Sequence, residues 1–194
     1  MKKSSTISTV FKIGFFALFL LVCCHGRTRY SGADQEKMAI QFFSAKINGV
    51  LWEGYPSEEA EGYQVTYKPL SRQLQISAGA KDSSRIELSF HAIDRIVPGS
   101  YPSTKNDHGI ESGIFYYPAA KNKDMGSITA EVPIQENTVV LTKVEFISKD
   151  TYLLEGTFSG TLYGLSPIHL APASQLTAGK FRVIYRAGLN NPSL

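Results

Sequence analysis

Cysteine is nearly missing. Of 194 residues only Cys23 and Cys24 are cysteines, adjacent to one another near the start of the chain. That excludes a disulfide framework and a cysteine-based metal centre from the body of the protein. An excess of one charge is missing as well. The chain carries 20 Lys+Arg against 17 Asp+Glu, but Lys2, Lys3 and Lys12 precede Cys24 and no acid does, leaving 17 basic against 17 acidic residues over the remaining 171. The pI near 8.8 therefore belongs mostly to the leader, and no basic nucleic-acid footprint is present. Helical periodicity is missing too: no window of helical length keeps a 3.6-residue apolar repeat with caps. Among catalytic motifs there is no nucleophile elbow, because Ser159 sits one place late in Gly156-Thr157-Phe158-Ser159-Gly160. No His-Glu-x-x-His occurs, and Gly179-Lys180-Phe181 lacks the upstream Gly and the Ser/Thr of a phosphate loop.

What is present begins with the leader. Lys2 and Lys3 form a positive start, and Ile13 to Val22 (IGFFALFLLV) is an uncharged run of 10 residues. That length suits a secretory h-region and is too short to span a bilayer core of ~30 Å. The run ends in Leu21-Val22-Cys23-Cys24, which resembles the bacterial lipobox of Leu, a medium residue and a small residue before the modified Cys. Cys24 fits best as lipid-attachment residue, because Cys23 supplies the small preceding residue, whereas modification of Cys23 would put bulky Val22 there. The resemblance implies a diacylglyceryl thioether on Cys24, cleavage before it and acylation of the new amino group. Each buried CH₂ adds ~0.8 kcal/mol, so several acyl chains anchor a domain durably. The chain is thus expected to comprise a signal peptide (1–23), a lipidated polar tether (24–40), a β domain (41–188) and a short tail (189–194). The tether residues HGRTRYSGADQEKMAI are polar and aperiodic.

The body reads as strands. In Phe42 to Tyr55 (FFSAKINGVLWEGY), Asn48-Gly49 is the favoured two-residue type I′ turn, since both residues tolerate positive φ. The turn sets Ile47 opposite Val50 and Ala45 opposite Trp52. Phe43, Ala45, Ile47, Val50 and Trp52 are then expected on one apolar face, with Ser44, Lys46 and Glu53 on the other. Alternation with period two recurs in Tyr63-Val65-Tyr67, Leu74-Ile76-Ala78, Ile86-Leu88-Phe90, Ile128-Ala130-Val132, Thr151 to Tyr163 and Phe181-Val183-Tyr185. Segment 138–147 (TVVLTKVEFI) is apolar on both faces in places, as a bulge or a central strand would require. About ten short strands, each with one apolar face, imply an all-β fold: a single antiparallel β-sandwich, or alternatively a closed lipocalin-like barrel.

The hairpin Phe43-Ser44-Ala45-Lys46-Ile47-Asn48-Gly49-Val50-Leu51-Trp52, the strand Gly156-Thr157-Phe158 and the closing Gly179-Lys180-Phe181-Arg182-Val183, behind a lipobox and a polar tether, are similar to small uncharacterised lipoproteins of the Bacteroidota. The likeness covers roughly residues 40–186. It implies a β-sandwich on a lipid anchor at the outer membrane and supplies no catalytic residues. Surface-exported members of that phylum carry acids just after the Cys. Here His25, Gly26, Arg27, Thr28 and Arg29 follow, with no acid before Asp34. The expectation is a domain facing the periplasm.

The remaining chemistry is sparse. His91, Asp94, His108 and Glu111 are a conceivable metal set without a known ligand spacing, so solvated histidines are expected and no metal or cofactor is assigned. Glu58, Glu59 and Glu61 read as a solvated tip before a weak Ca²⁺ site. Stretches 92–112 and 164–178 exceed the ~12–15 residues beyond which structureless loops become uncommon, and are expected as structural lids rather than binding loops. No strand offers inward polar residues converging on a cleft, as an enzyme would need. The expected function is a non-enzymatic binding or structural module of the envelope, meeting the membrane through its lipid and contacting an envelope protein, glycan or lipid but no nucleic acid. The alternative is a lipocalin-like carrier of an apolar ligand, and a hydrolase ranks third.

Overall fold

A computed structural model of the chain describes residues 40–56, 63–91, 96–102, 111–120, 123–127, 137–148, 150–165 and 168–187. Among them there are eleven strands and no helix: β1 Phe42–Ile47, β2 Val50–Glu53, β3 Gln64–Lys68, β4 Gln73–Gly79, β5 Arg85–His91, β6 Gly99–Pro102, β7 Glu111–Tyr117, β8 Met125–Gly126, β9 Thr138–Ser148, β10 Thr151–Leu165 and β11 Ile168–Arg186. They form one antiparallel sheet in the order β2-β1-β11-β10-β8-β7-β5-β4-β3, with β9 also pairing β10 and β6 pairing β9. The ends of this path approach each other: the Tyr55 N–H donates to the Gly79 carbonyl at 2.8 Å. That single bridge is the only β2-side link to β4 among the described residues, so the sheet is not closed into a barrel.

The sheet folds over itself, and its inner faces share one core. Phe43, Phe158 and Phe181 from one half join Leu74, Ile76, Leu88 and Ile114 from the other. Phe43 is the hub: its ring centroid lies 5.1 Å from Phe158, 6.0 Å from Phe181, 6.0 Å from Trp52 and 6.1 Å from Tyr63. Aromatic pairs at such spacings add to the free energy of their burial. The two halves are also joined by a buried hydrogen bond, Trp52 Nε1–H to Ser84 Oγ at 2.8 Å. The Ser84 hydroxyl and backbone N–H in turn donate to Asp82 Oδ1, and these two bonds hold the Asp82 carboxyl below its ordinary range.

The first hairpin forms as its sequence requires. Asn48 and Gly49 have φ of +50° and +82°, and the register is Ile47 opposite Val50 and Ala45 opposite Trp52. The Asn48 side chain also accepts from the Gln175 N–H at 2.8 Å, which ties the turn to β11. The face assignment holds for Phe43, Ala45 and Trp52 but fails at the turn. Half-buried Ile47 still packs against the core, but Val50 is 71% exposed, because the hairpin tip runs past the edge of the core.

Bulges reconcile the long strands with one apolar interior. Glu155 pairs Lys143 while Gly156 pairs Leu141, so Thr142 is an extra residue on β9. Inward residues therefore switch from Val139 and Leu141 to Val144, as the two-sided pattern of 138–147 implies. A second switch lies in β11, where Ser44 pairs Lys180 but Lys46 pairs Thr177. Ala178 takes φ +49° there. The bulge lets Ser174 and Leu176 point inward together with Phe181, Val183 and Tyr185. Gly179 at the bulge lies so close to β10 that a Cβ would run into the Phe158 carbonyl and ring.

Two expectations are corrected. Stretch 164–178 is no loop: β10 and β11 pair from Thr151–Arg186 out to Leu165–Ile168, making one long hairpin. Its alternation is weak because Pro172, the bulge and small residues interrupt the period. Within 92–112, Gly99–Pro102 is a strand on β9, and Tyr101 is buried edge-on to Phe90 at 5.3 Å with its hydroxyl donating to the Val97 carbonyl. Some polar residues are buried as well. Ser112 donates to the Tyr101 carbonyl, the Ile114 N–H donates to Ser127 Oγ, and the Asn137 amide donates to the Ser127 carbonyl. These buried groups brace main chain where β6, β7, β8 and β9 meet, although Asn137 Oδ1 itself is buried without a hydrogen-bond partner.

Candidate functional site

With aromatic rings filling the interior, the accessible features lie outside. One is a shallow groove of about 550 Å³ on the outer face of β1 and β2, running onto β11. Its construction follows from alternation. Residues 43, 45 and 52 point into the core, so Phe42, Ser44, Leu51, Glu53 and Tyr55 must point out. The register places Glu53 beside Ser44, and Ser44 beside Lys180. Phe42 and Tyr55 form the aromatic end of the groove, Leu51 the aliphatic end, and Glu53 and Lys180 the polar middle.

The apolar side chains here are open to solvent: Leu51 is 61% exposed, Tyr55 43% and Phe42 38%. Lysines lie over both rings, with Lys180 Nζ 5.7 Å from the Phe42 centroid and Lys81 Nζ 4.5 Å from that of Tyr55. Tyr63 forms the floor. Burial, with Glu53 adding its negative charge, pushes the Tyr63 phenol above its ordinary value. It therefore stays neutral and donates to the Gly54 carbonyl at 2.9 Å. A second hollow of about 380 Å³ lies at the β11 bulge, lined by Val140, Thr157, Ala178 and Gly179, and Lys180 borders both. Among the described residues neither hollow is lined by a His or Cys. The arrangement offers apolar contact, ring faces and ammonium groups, which is the chemistry of binding.

The candidates named from sequence fall elsewhere. Cys24, Glu58, Glu59, Glu61, Asp94 and His108 lie outside the described residues, as does the expected strand at 128–132. His91 sits on the polar outer face of β5, its ring bonded to Ser89 Oγ at 2.9 Å. Among the described residues no group of three or more His, Cys, Asp or Glu is placed to hold a metal ion. The groove itself escaped the sequence reading, although its signal was there. Phe42-Phe43 and Val50-Leu51-Trp52 put apolar residues on both faces of one hairpin, and only one face can be core. Comparison of the chain with protein-family models, with curated proteins and with solved structures gave no match in any of the three.

Proposed function

We propose that the protein is a membrane-anchored envelope lipoprotein whose β domain is a non-enzymatic binding or structural module, related to the uncharacterised Bacteroidota lipoproteins it resembles and facing the periplasm. One observation carries the binding part: the interior is packed with rings around Phe43, while Phe42, Leu51 and Tyr55 stand exposed around a lysine-rimmed groove. Contact therefore takes place on the outside of the sheet. A lipocalin-like carrier would need a hollow centre where these rings lie. The anchor part rests on Cys24 following the 10-residue apolar run.

The anchor is tested by substitution in the full chain. Cys24→Ala should release the protein from membranes and abolish acyl labelling. Cys23→Ala should preserve both, since Ala is also small. Membrane retention of Cys24→Ala with label still attached would refute the assignment.

A further inference from the structure

We propose that the outer face of the β1–β2 hairpin rests on the phospholipid leaflet that holds the anchor, with anionic headgroups as the ligand of its lysines; this rests on the reading of Cys24 as the lipidated residue. Three observations converge on a membrane surface rather than a soluble ligand. The first is composition. The groove's apolar side chains, Phe42, Leu51 and Tyr55, form one outward surface, and Ile40 beside them is 58% exposed. Apolar groups of this kind gain by entering the boundary between headgroups and acyl chains.

The second is charge. Among the described residues Lys46, Lys81 and Lys180 are exposed around this surface, against the exposed acids Glu53 and Asp82, the second of which is bonded to Ser84. Lys81 and Lys180 lie over aromatic rings, so their stems can cover apolar area while the ammonium groups reach phosphate oxygens. The outer face of the other half differs: Gln64, Thr66, Gln75, Ser77, Arg85 and Glu87 line a small polar hollow there.

The third is where the chain enters. Ile40 leads directly into Phe42 and lies 16 residues after Cys24. Sixteen residues reach at most about 55 Å when extended. Anchoring at Cys24 therefore keeps this face close to the lipid, and a patch too weak to bind from solution becomes sufficient at that effective concentration.

The test uses the full acylated chain in vesicles of phosphatidylethanolamine and phosphatidylglycerol. Leu51→Cys and, separately, Gln75→Cys are labelled with an environment-sensitive dye. Cys23 leaves with the leader and Cys24 sulfur is in the thioether, so the introduced thiol takes the label. The dye at position 51 should shift to the blue and be quenched by brominated acyl chains, whereas that at 75 should stay water-like. Lys46→Glu with Lys180→Glu, or vesicles of phosphatidylcholine alone, should cut the quenching at 51 several-fold while the protein still floats with the vesicles. Flotation with both dyes equally water-exposed would overturn the proposal and leave the anchor standing. So would quenching at 51 that survives charge reversal, or shielding that arises only when envelope proteins are added. Failure of the unsubstituted protein to float would remove the anchor and this proposal together.

Discussion

The two halves of the sheet use the same alternation to different ends. In β3, β4 and β5 the rule is clean: Leu74, Ile76, Ala78, Ile86, Leu88 and Phe90 are buried. Their outward neighbours are hydrophilic and pair with one another, as in Gln75 Nε2–H to Glu87 Oε1 at 3.1 Å and Gln73 Nε2–H to Ser89 Oγ at 2.8 Å. In β1 and β2 apolar residues occupy both faces. Phe43 and Trp52 are core, but Phe42 and Leu51 lie across the sheet from them in water. An exposed cluster of large apolar groups costs solubility without contributing to the core, which is the basis for proposing it as a contact surface. The comparison teaches that side chains of one kind, a few ångströms apart, differ in role only by the side of the backbone they leave.

That contrast can be broken by substitution. The largest effect is expected on the inner side. Trp52→Ala should destabilise by about 3–5 kcal/mol, because it opens a cavity beside Phe43 and removes the hydrogen bond to Ser84. Chemical denaturation of the full chain in detergent would show it as a lower midpoint. An unchanged midpoint would mean that Trp52 does not belong to the core. Next comes the turn that sets which residues face inward. Gly49→Val forces a β-branched residue to φ +82° and should cost about 1–3 kcal/mol. A larger loss, with core aromatics newly accessible, would show that the hairpin register had slipped rather than strained. The smallest effect on stability is expected outside. Leu51→Ser and Gln75→Ser should each shift stability by no more than about 0.5 kcal/mol. Thermal unfolding should therefore leave the two indistinguishable, while membrane or partner contact is lost only for Leu51→Ser. A loss of more than about 2 kcal/mol for Leu51→Ser would place it with residues that are fully buried.

Much of the strand layout was legible from the period-two alternation alone, and most securely where a turn residue pinned it. The Asn48-Gly49 hairpin and the buried series in β3 to β5 follow directly from local chemistry. Legibility failed where parity changes. The bulge at Thr142 moves the apolar series from odd to even positions and that near Ala178 from even to odd, and a reader who follows one parity takes 164–178 for a loop. The groove was illegible for a related reason. A strand with apolar residues on both faces has two candidate inner sides, and nothing within the strand decides between them.

By itself the sequence determined the antiparallel strand class and the type I′ turn of the first hairpin, and from it alone comes the proposal of a secretory leader that ends before Cys24. All of these depend on residues near one another in the chain. Only the tertiary structure decided that the sheet folds over without closing, that Ser112, Ser127 and Asn137 brace buried main chain, and that Lys180 of β11 meets Phe42 and Glu53 across the first hairpin. Lys180 and Phe42 are far apart in sequence. What brings them together is the burial of Phe43 against Phe158 and Phe181, a free-energy gain that exists only once distant strands have met.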